Sequence, residues 1–134
     1  MTDYLIDSDC LIFALVQGDA PLVRRIAACS PGQIGISAIN FAEVALGTYA
    51  GKPPSQEALA ALAAAMPILP FDEAAARAYA TLPYKRARFD RLLAAHALSI
   101  GARVITNNEA DFADVPGLVT ENWTVEQEAA DDGD

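Results

Sequence analysis

Tyr4-Leu5-Ile6-Asp7-Ser8-Asp9-Cys10-Leu11-Ile12-Phe13 is the stretch whose reading decides the fold. Tyr4-Leu5-Ile6 has the length and apolarity of a short buried strand, and Leu11, Ile12, Phe13, Leu15 and Val16 continue it as a helix. Ser8 or Asp9 can serve as the N-cap of that helix. A strand that runs straight into a helix is the first half of a βαβ unit, and here the junction carries a carboxylate, Asp7. The same pattern recurs downstream. Ile34-Gly35-Ile36 reads as a second strand, after which Ser37 caps a helix reaching to about Tyr49. Ile68-Leu69 is a third strand, and Asp72 caps a helix through Ala75, Ala78, Tyr79 and Leu82 that Pro83 ends. Arg103 to Thr106 is the fourth strand, followed by a short helix between Asn107 and Phe112 and a last strand at Leu118-Val119-Thr120.

Three further helices fill the intervals. Gly18-Asp19 breaks the first helix, and Pro21 suits the opening turn of the next, through Leu22, Val23, Ile26 and Ala27. Ser55 caps an alanine-rich helix from Gln56 to Ala65 after the loop Gly51-Lys52-Pro53-Pro54, and its small side chains allow close packing. Phe89 to Ile100 presents Leu92, Leu93, Ala95, Ala97 and Leu98 on its apolar side, with Gly101 at the C′ position. Strands alternating with helices predict one α/β domain, a three-layer α/β/α sandwich around a parallel sheet of four to five strands. The domain is expected to span residues 1–123. The acidic tail 124–134 is expected to be solvated, disordered chain.

In such sheets ligands bind beyond the carboxyl ends of the strands, at the topological switch point. Asp7 follows the first strand, and Asn107, Asn108 and Asp111 follow the fourth. Ser37 follows the second, with Glu43 less than two turns into the next helix. Asp90 opens a helix, where the positive end of the dipole favours a carboxylate. One topology therefore brings Asp7, Glu43, Asp90 and Asp111 to a single edge. Carboxylates gathered near apolar surface are costly, and a hard divalent cation with oxygen ligands, Mg²⁺ or Mn²⁺, is the simplest neutralising partner. Glu109 and Asp114 lie close to Asp111 in sequence and compete with it for that role.

The chain carries nine basic and 18 acidic residues, a net charge of −9. That balance argues against the basic footprint usual for nucleic-acid binding. However, five of the acids lie in the tail after Val125, and four more belong to the candidate site. Lys85, Arg86, Arg88 and Arg91 form a basic cluster beside Asp90, either a solvated patch or a grip for a phosphate backbone. No run of about 18 apolar residues exists, so no membrane span is expected. The start lacks the basic region of a signal peptide. Cys10 and Cys29 lack metal-ligand spacing and read as free thiols in a reducing cytoplasm.

Asp7-Ser8-Asp9-Cys10-Leu11-Ile12, Ile36-Ser37-Ala38-Ile39-Asn40-Phe41-Ala42-Glu43, Asp90-Arg91-Leu92-Leu93-Ala94-Ala95-His96-Ala97 and Val104-Ile105-Thr106-Asn107-Asn108-Glu109-Ala110-Asp111-Phe112 resemble, in order and spacing, the motifs of PIN-domain ribonucleases. Val115-Pro116-Gly117-Leu118-Val119-Thr120-Glu121-Asn122-Trp123 is similar to the end of VapC-type toxins of bacterial toxin–antitoxin pairs. The likeness runs from residue 4 to residue 123. It implies Mg²⁺- or Mn²⁺-dependent endoribonuclease activity, with Asp7, Glu43, Asp90 and Asp111 as acidic site residues and Ser37 and Asn108 as polar support. It also implies a homodimer, a cytoplasmic location, a VapB-like antitoxin whose C-terminal segment crosses the site, and transfer RNA as the expected substrate. Two positions depart from the pattern. Asp9 stands where the family often has Asn, as a further ligand, a supporting group or only a helix cap. The segment before Asp90 lacks the glycine of many VapC-type chains.

By this reading Asp7 and Asp90 are the principal direct ligands, with Asp111 next, and Glu43 binds through water or orients the nucleophile. A metal-activated water attacks phosphorus in line, leaving a 5′-phosphate and a 3′-hydroxyl. His96 and Trp123 are expected to pack rather than to act on substrate. Two rivals exist. Asp7 and Asp9 resemble the DxD of aspartate-nucleophile phosphatases, although the only lysines, Lys52 and Lys85, and the segment after the fourth strand do not complete that motif. The other rival is a non-catalytic PIN scaffold that binds RNA or protein.

Overall fold

Alternation along the strands sorts the core into two halves. The computed structural model describes residues 2–16, 21–83 and 89–125. Its elements are β1 (Tyr4–Ile6), α1 (Ser8–Val16), α2 (Pro21–Ala27), β2 (Ile34–Ser37), α3 (Ala38–Tyr49), α4 (Gln56–Ala65), β3 (Ile68–Leu69), α5 (Glu73–Ala80), α6 (Phe89–Ile100), β4 (Arg103–Ile105), a 3₁₀ turn (Glu109–Phe112) and β5 (Thr120–Glu121). Ile6, Ile34, Ile36 and Ile105 point to one face of the sheet and pack with Leu11, Leu22, Val44, Leu59 and Leu62 of α1 to α4. Leu5 and Val104 point to the other face and pack with Leu93, Ala94 and Ala97 of α6, together with Phe112 and Val115. Side chains two residues apart share a face, so β1 and β4 each feed both cores. Each fully buried Leu or Ile contributes about 1.5–3 kcal/mol, which makes the two faces the main source of stability.

The sheet has five parallel strands in the order β3-β2-β1-β4-β5, the upper end of the expected range. Tyr4 is in register with Ile34 on one side and Arg103 on the other. Chain order reverses about β1, so the switch point lies at the carboxyl ends of β1 and β4. This is where Asp7 and the residues after Ile105 emerge.

Several boundaries differ from expectation for local reasons. The cap of α1 is Asp7, not Ser8 or Asp9: its Oδ1 accepts from the Cys10 N–H at 2.8 Å, and its carbonyl accepts from Leu11 at 3.0 Å. Strand β4 stops at Ile105: the Thr106 N–H still reaches the Glu121 carbonyl at 3.0 Å, but the chain then turns, with the Thr106 hydroxyl accepting from the Asn108 N–H at 3.0 Å. The last strand begins at Thr120, where Glu121 pairs with Ile105 and with the Arg103 guanidinium at 2.7 Å. The alanines of α4 stay largely exposed, and Leu59 and Leu62 alone anchor that helix. Ser55 and Asp72 cap α4 and α5 as expected. Gly101 ends α6 at φ +70°, with the N–H groups of Gly101 and Ala102 closing on Leu98 and Ala97.

The chain ends of the sheet are tied by an aromatic anchor. Trp123 is buried, meets Tyr4 edge-on at 4.9 Å and carries the Arg25 guanidinium 4.5 Å above its ring. Cys10 and Cys29 are free thiols. Among the described residues, no helix is long and apolar enough to cross a membrane. The tail from residue 126, the Gly18-Asp19 break and Lys85, Arg86 and Arg88 lie outside the described residues.

Candidate active site

A cleft of about 120 Å³ opens at the switch point, and five carboxylates line it: Asp7, Asp9, Glu43, Asp90 and Asp111. Its remaining walls are the apolar Phe89, Leu93 and Phe112 and the polar Ser8, Asn40 and Asn108. Among the described residues, no lysine, arginine or histidine lines it. The four carboxylates singled out from the sequence therefore line one cleft, drawn from the start of α1, from α3, from α6 and from the 3₁₀ turn.

Asp7 is the most constrained of them. It is half-buried, and besides capping α1 it takes a hydrogen bond from the Thr106 hydroxyl. Burial raises its carboxyl above the usual aspartate range, and the Thr106 and Cys10 donors oppose that rise without cancelling it. The Cys10 thiol beside it is pushed far up, by burial first and then by the Asp7 charge, so it is an inert packing group. Asp90 sits in the first turn of α6, where the helix dipole favours an anion. Asp111 accepts from the Asn108 Nδ2 at 2.8 Å. Its two acidic competitors are engaged elsewhere, Glu109 with the Thr120 hydroxyl at 2.7 Å and Asp114 with Arg91 at 3.2 Å.

Glu43 is held differently. The Ser8 hydroxyl donates to its Oε1 at 2.6 Å, and the Asn40 Nδ2 donates to Ser8 Oγ at 2.8 Å and approaches Glu43 Oε1 at 3.5 Å. Asn40 is 2 % exposed, and its Oδ1 has no hydrogen-bond partner. An unpartnered buried carbonyl costs about 1–3 kcal/mol. Sequence reading passed over Ser8, Asn40 and Thr106 as site residues. The signals were present: Ser8 adjoins Asp7, Asn40 precedes Glu43 by one helical turn, and Thr106 is the first residue beyond β4.

Ser37 does not line the cleft. It is fully buried, caps α3 through the Ile39 N–H at 3.2 Å, and meets His96 Nδ1 at 2.8 Å. Its hydroxyl joins the start of α3 to α6. His96 packs edge-on against Phe71, and burial lowers its pKa, which favours the neutral imidazole; its tautomer sets which of Nδ1 and the Ser37 hydroxyl donates. Arg91 is not an exposed phosphate contact either. It is 4 % exposed, paired with Asp114 and bonded to the Pro83 carbonyl at 3.1 Å. Asp9 lines the cleft in an exposed position in the first turn of α1.

An all-oxygen set of charged donors, with an orphaned buried acceptor among its neighbours, suits a hydrated hard cation. Among the described residues, no three His, Cys, Asp or Glu side chains converge closely enough to hold a metal ion jointly. Asp7, Asp90 and Asp111 are thus not pre-assembled as three direct ligands. The arrangement fits Mg²⁺-like binding, in which one or two carboxylates touch the ion and the others act through its waters.

The PIN-domain profile matches residues 4–118. The chain belongs to the PIN-domain family. It is 28% identical over 133 residues to a tRNA(fMet)-specific endonuclease VapC from Shigella flexneri, covering 92% of this chain and all of that protein. The DNA-bound VapBC complex of Salmonella typhimurium contains a chain of the same fold, at 25% identity and a TM-score of 0.75, covering 92% of this chain and 99% of the other. VapBC2 of Rickettsia felis, bound to a promoter DNA fragment, superposes at a TM-score of 0.79 with 23% identity, over 91% of this chain and 99% of that chain. The resemblance read from the motifs therefore extends to the whole five-stranded fold.

Proposed function

We propose that this PIN domain is the toxin of a VapBC-type pair, a divalent-metal-dependent endoribonuclease that cuts transfer RNA in the cytoplasm and is restrained by a VapB-like antitoxin. The observation that carries the reading is the convergence of five carboxylates in one cleft at the switch point of a parallel sheet. Likeness to a VapC endonuclease along almost its full length supports RNA as substrate, and likeness to VapBC assemblies supports an antitoxin; the homodimer rests on the family resemblance alone.

A bound Mg²⁺ or Mn²⁺ supplies charge neutralisation at phosphorus and a more acidic water nucleophile. The chain's own residues do the rest. Asp7 and Asp90 offer oxygens from two different elements of the cleft, with Asp7 pinned by the Cys10 N–H and Thr106. Asp111, steadied by Asn108, adds a third carboxylate to the same cleft. Glu43, with one oxygen engaged by Ser8, presents the other to accept a proton from the attacking water or to orient it. Phe89, Leu93 and Phe112 exclude water from part of the wall, which strengthens each of these electrostatic interactions. Lys85, Arg86 and Arg88 supply the phosphate grip that the acidic cleft lacks.

The test is cleavage of end-labelled transfer RNA by antitoxin-free protein, with Mg²⁺ or Mn²⁺, with EDTA, and with Asp90→Ala alongside. Discrete cuts that need metal and vanish in the variant are the expected result. Cutting that survives both EDTA and Asp90→Ala would refute the metal reading. Hydrolysis of aryl phosphates in place of RNA would instead favour the aspartate-nucleophile phosphatase.

A further inference from the structure

Among the carboxylates lining the cleft, Glu43 alone lies outside the opening turn of its element: α3 begins at Ala38 and Glu43 lies in its second turn. No helix end stabilises it there. Two side chains take that place, one from each of two elements. Ser8 is the first residue of α1, held beside Glu43 because Asp7 caps that helix. Asn40 is one turn before Glu43 on α3, so the two share a helix face.

The polarity of the network is fixed by chemistry. The Ser8 hydroxyl has one proton, and a carboxylate can only accept, so at 2.6 Å the hydroxyl donates to Glu43 Oε1. Ser8 Oγ is then an acceptor, and the Asn40 group 2.8 Å away is the Nδ2 donor. Exchanging nitrogen and oxygen in Asn40 would turn its carbonyl toward Glu43 and draw the Ser8 proton away from it. The network keeps the orientation that serves Glu43 even though this leaves the buried Asn40 Oδ1 unpartnered.

We propose that Ser8 and Asn40 are positioning residues for Glu43: a relay from the Asn40 amide through the Ser8 hydroxyl that locks Oε1 and so aims Oε2 into the cleft. This rests on the proposed nuclease reading only for what Oε2 then acts upon. Partners that orient a site carboxylate in this way typically change metal affinity or activity by about 10–100-fold when removed.

The experiment has two arms on the full chain. The first is a metal-free crystal structure of Ser8→Ala. The expected result is that the Glu43 carboxylate shifts or splits between rotamers while the fold and Asp7 stay in place, and an unmoved Glu43 would overturn the proposal. The second is Mn²⁺ affinity, read by electron paramagnetic resonance without RNA, for wild type, Ser8→Ala, Ser8→Thr and Asn40→Asp, each also in a Glu43→Ala background. The expected result is about tenfold weaker binding for Ser8→Ala and Asn40→Asp, recovery by Ser8→Thr, and no further loss when Glu43 is already absent. A loss of equal size without Glu43 would show a general structural effect and overturn the proposal. Should wild type bind no Mn²⁺ while Ser8→Ala releases Glu43, the metal reading falls and the positioning role stands.

Discussion

Replacing Asp7 with Asn separates what that residue does for the fold from what it does for catalysis. Asp7 has two duties. Its Oδ1 caps α1 through the Cys10 N–H, and its charge faces the cleft. Asn caps helices about as well as Asp, whereas Ala removes the cap at a cost of about 0.5–2 kcal/mol. The charge itself is a burden to the folded state. Burial raises the Asp7 pKa, so its contribution to stability is fully present below the unfolded value of about 3.9 and is lost as pH rises through the folded one. At neutral pH Asp7→Asn is therefore at least as stable as wild type without metal, and Asp7→Ala falls below Asp7→Asn by roughly 2–8 °C in Tm, at about 4 °C per kcal/mol for a chain of this size. Metal reverses the order. At ten times its dissociation constant, Mg²⁺ adds about 1.4 kcal/mol to wild type, on the order of 5 °C, and little to either variant. Cleavage falls at least about 100-fold in both, the scale of removing one preorganised electrostatic interaction. The assays are thermal melts with and without Mg²⁺ and single-turnover RNA cleavage. Asp7→Asn cutting RNA at the wild-type rate, or gaining as much from Mg²⁺ as wild type does, would refute the reasoning.

Other residues give independent checks. His96 is the only histidine, and its lowered pKa means the stability it contributes is intact above about pH 6.5 and lost as pH falls through the folded value; a proton titration by NMR should place its midpoint below that of a free imidazole, and a midpoint at or above it would contradict the burial of the ring. Ser37→Ala leaves the cleft carboxylates in place but removes the α3 cap and the His96 partner, lowering stability by about 1–2 kcal/mol in denaturant melts. Arg91→Met keeps the apolar stem and removes the Asp114 and Pro83 bonds, so stability falls by about 1–3 kcal/mol while the salt dependence of RNA binding is unchanged. Alanine at Lys85, Arg86 or Arg88 instead reduces the slope of log affinity against log salt by about 0.7–0.9 for each phosphate no longer neutralised.

The fold was legible because its grammar is local. Tyr4-Leu5-Ile6 before Asp7, Ser37 and Ser55 before their helices and Gly101 after α6 each carry their own signal within a few residues. The cleft was legible at its carboxylates for a related reason: in a parallel sheet, position after a strand end fixes position in space. What the chain did not disclose depends on side-chain direction. Ser37 is fully buried with its hydroxyl on His96, a direction that its place after a strand does not reveal. Arg91, next to Asp90, lies about 100° further round α6 and is carried into the layer between α6 and Asp114. Ser8 and Asn40, 32 residues apart, become partners only when α1 and α3 pack side by side on the same face of the sheet.

The same geometry explains how a chain of net charge −9 tolerates an acidic cleft at all. Asp7 caps α1, and Asp9 and Asp90 stand in first turns, so the positive ends of α1 and α6 converge where the carboxylates do. Parallel strand topology favours that convergence, because helices begin where strands end, and strands on both sides of the switch point end at the same edge. Helix ends offset carboxylates by about 0.3–1 kcal/mol each, enough to hold them together but too little to neutralise them. On the proposed reading, the residual negative field would draw a divalent cation to the cleft and, without one, would repel an RNA phosphate. Glu43, lacking a helix end, needs the donors Ser8 and Asn40 in its place. Replacing Ser8 by Ala should therefore weaken cation binding, while RNA bound without metal through the basic segment keeps its affinity.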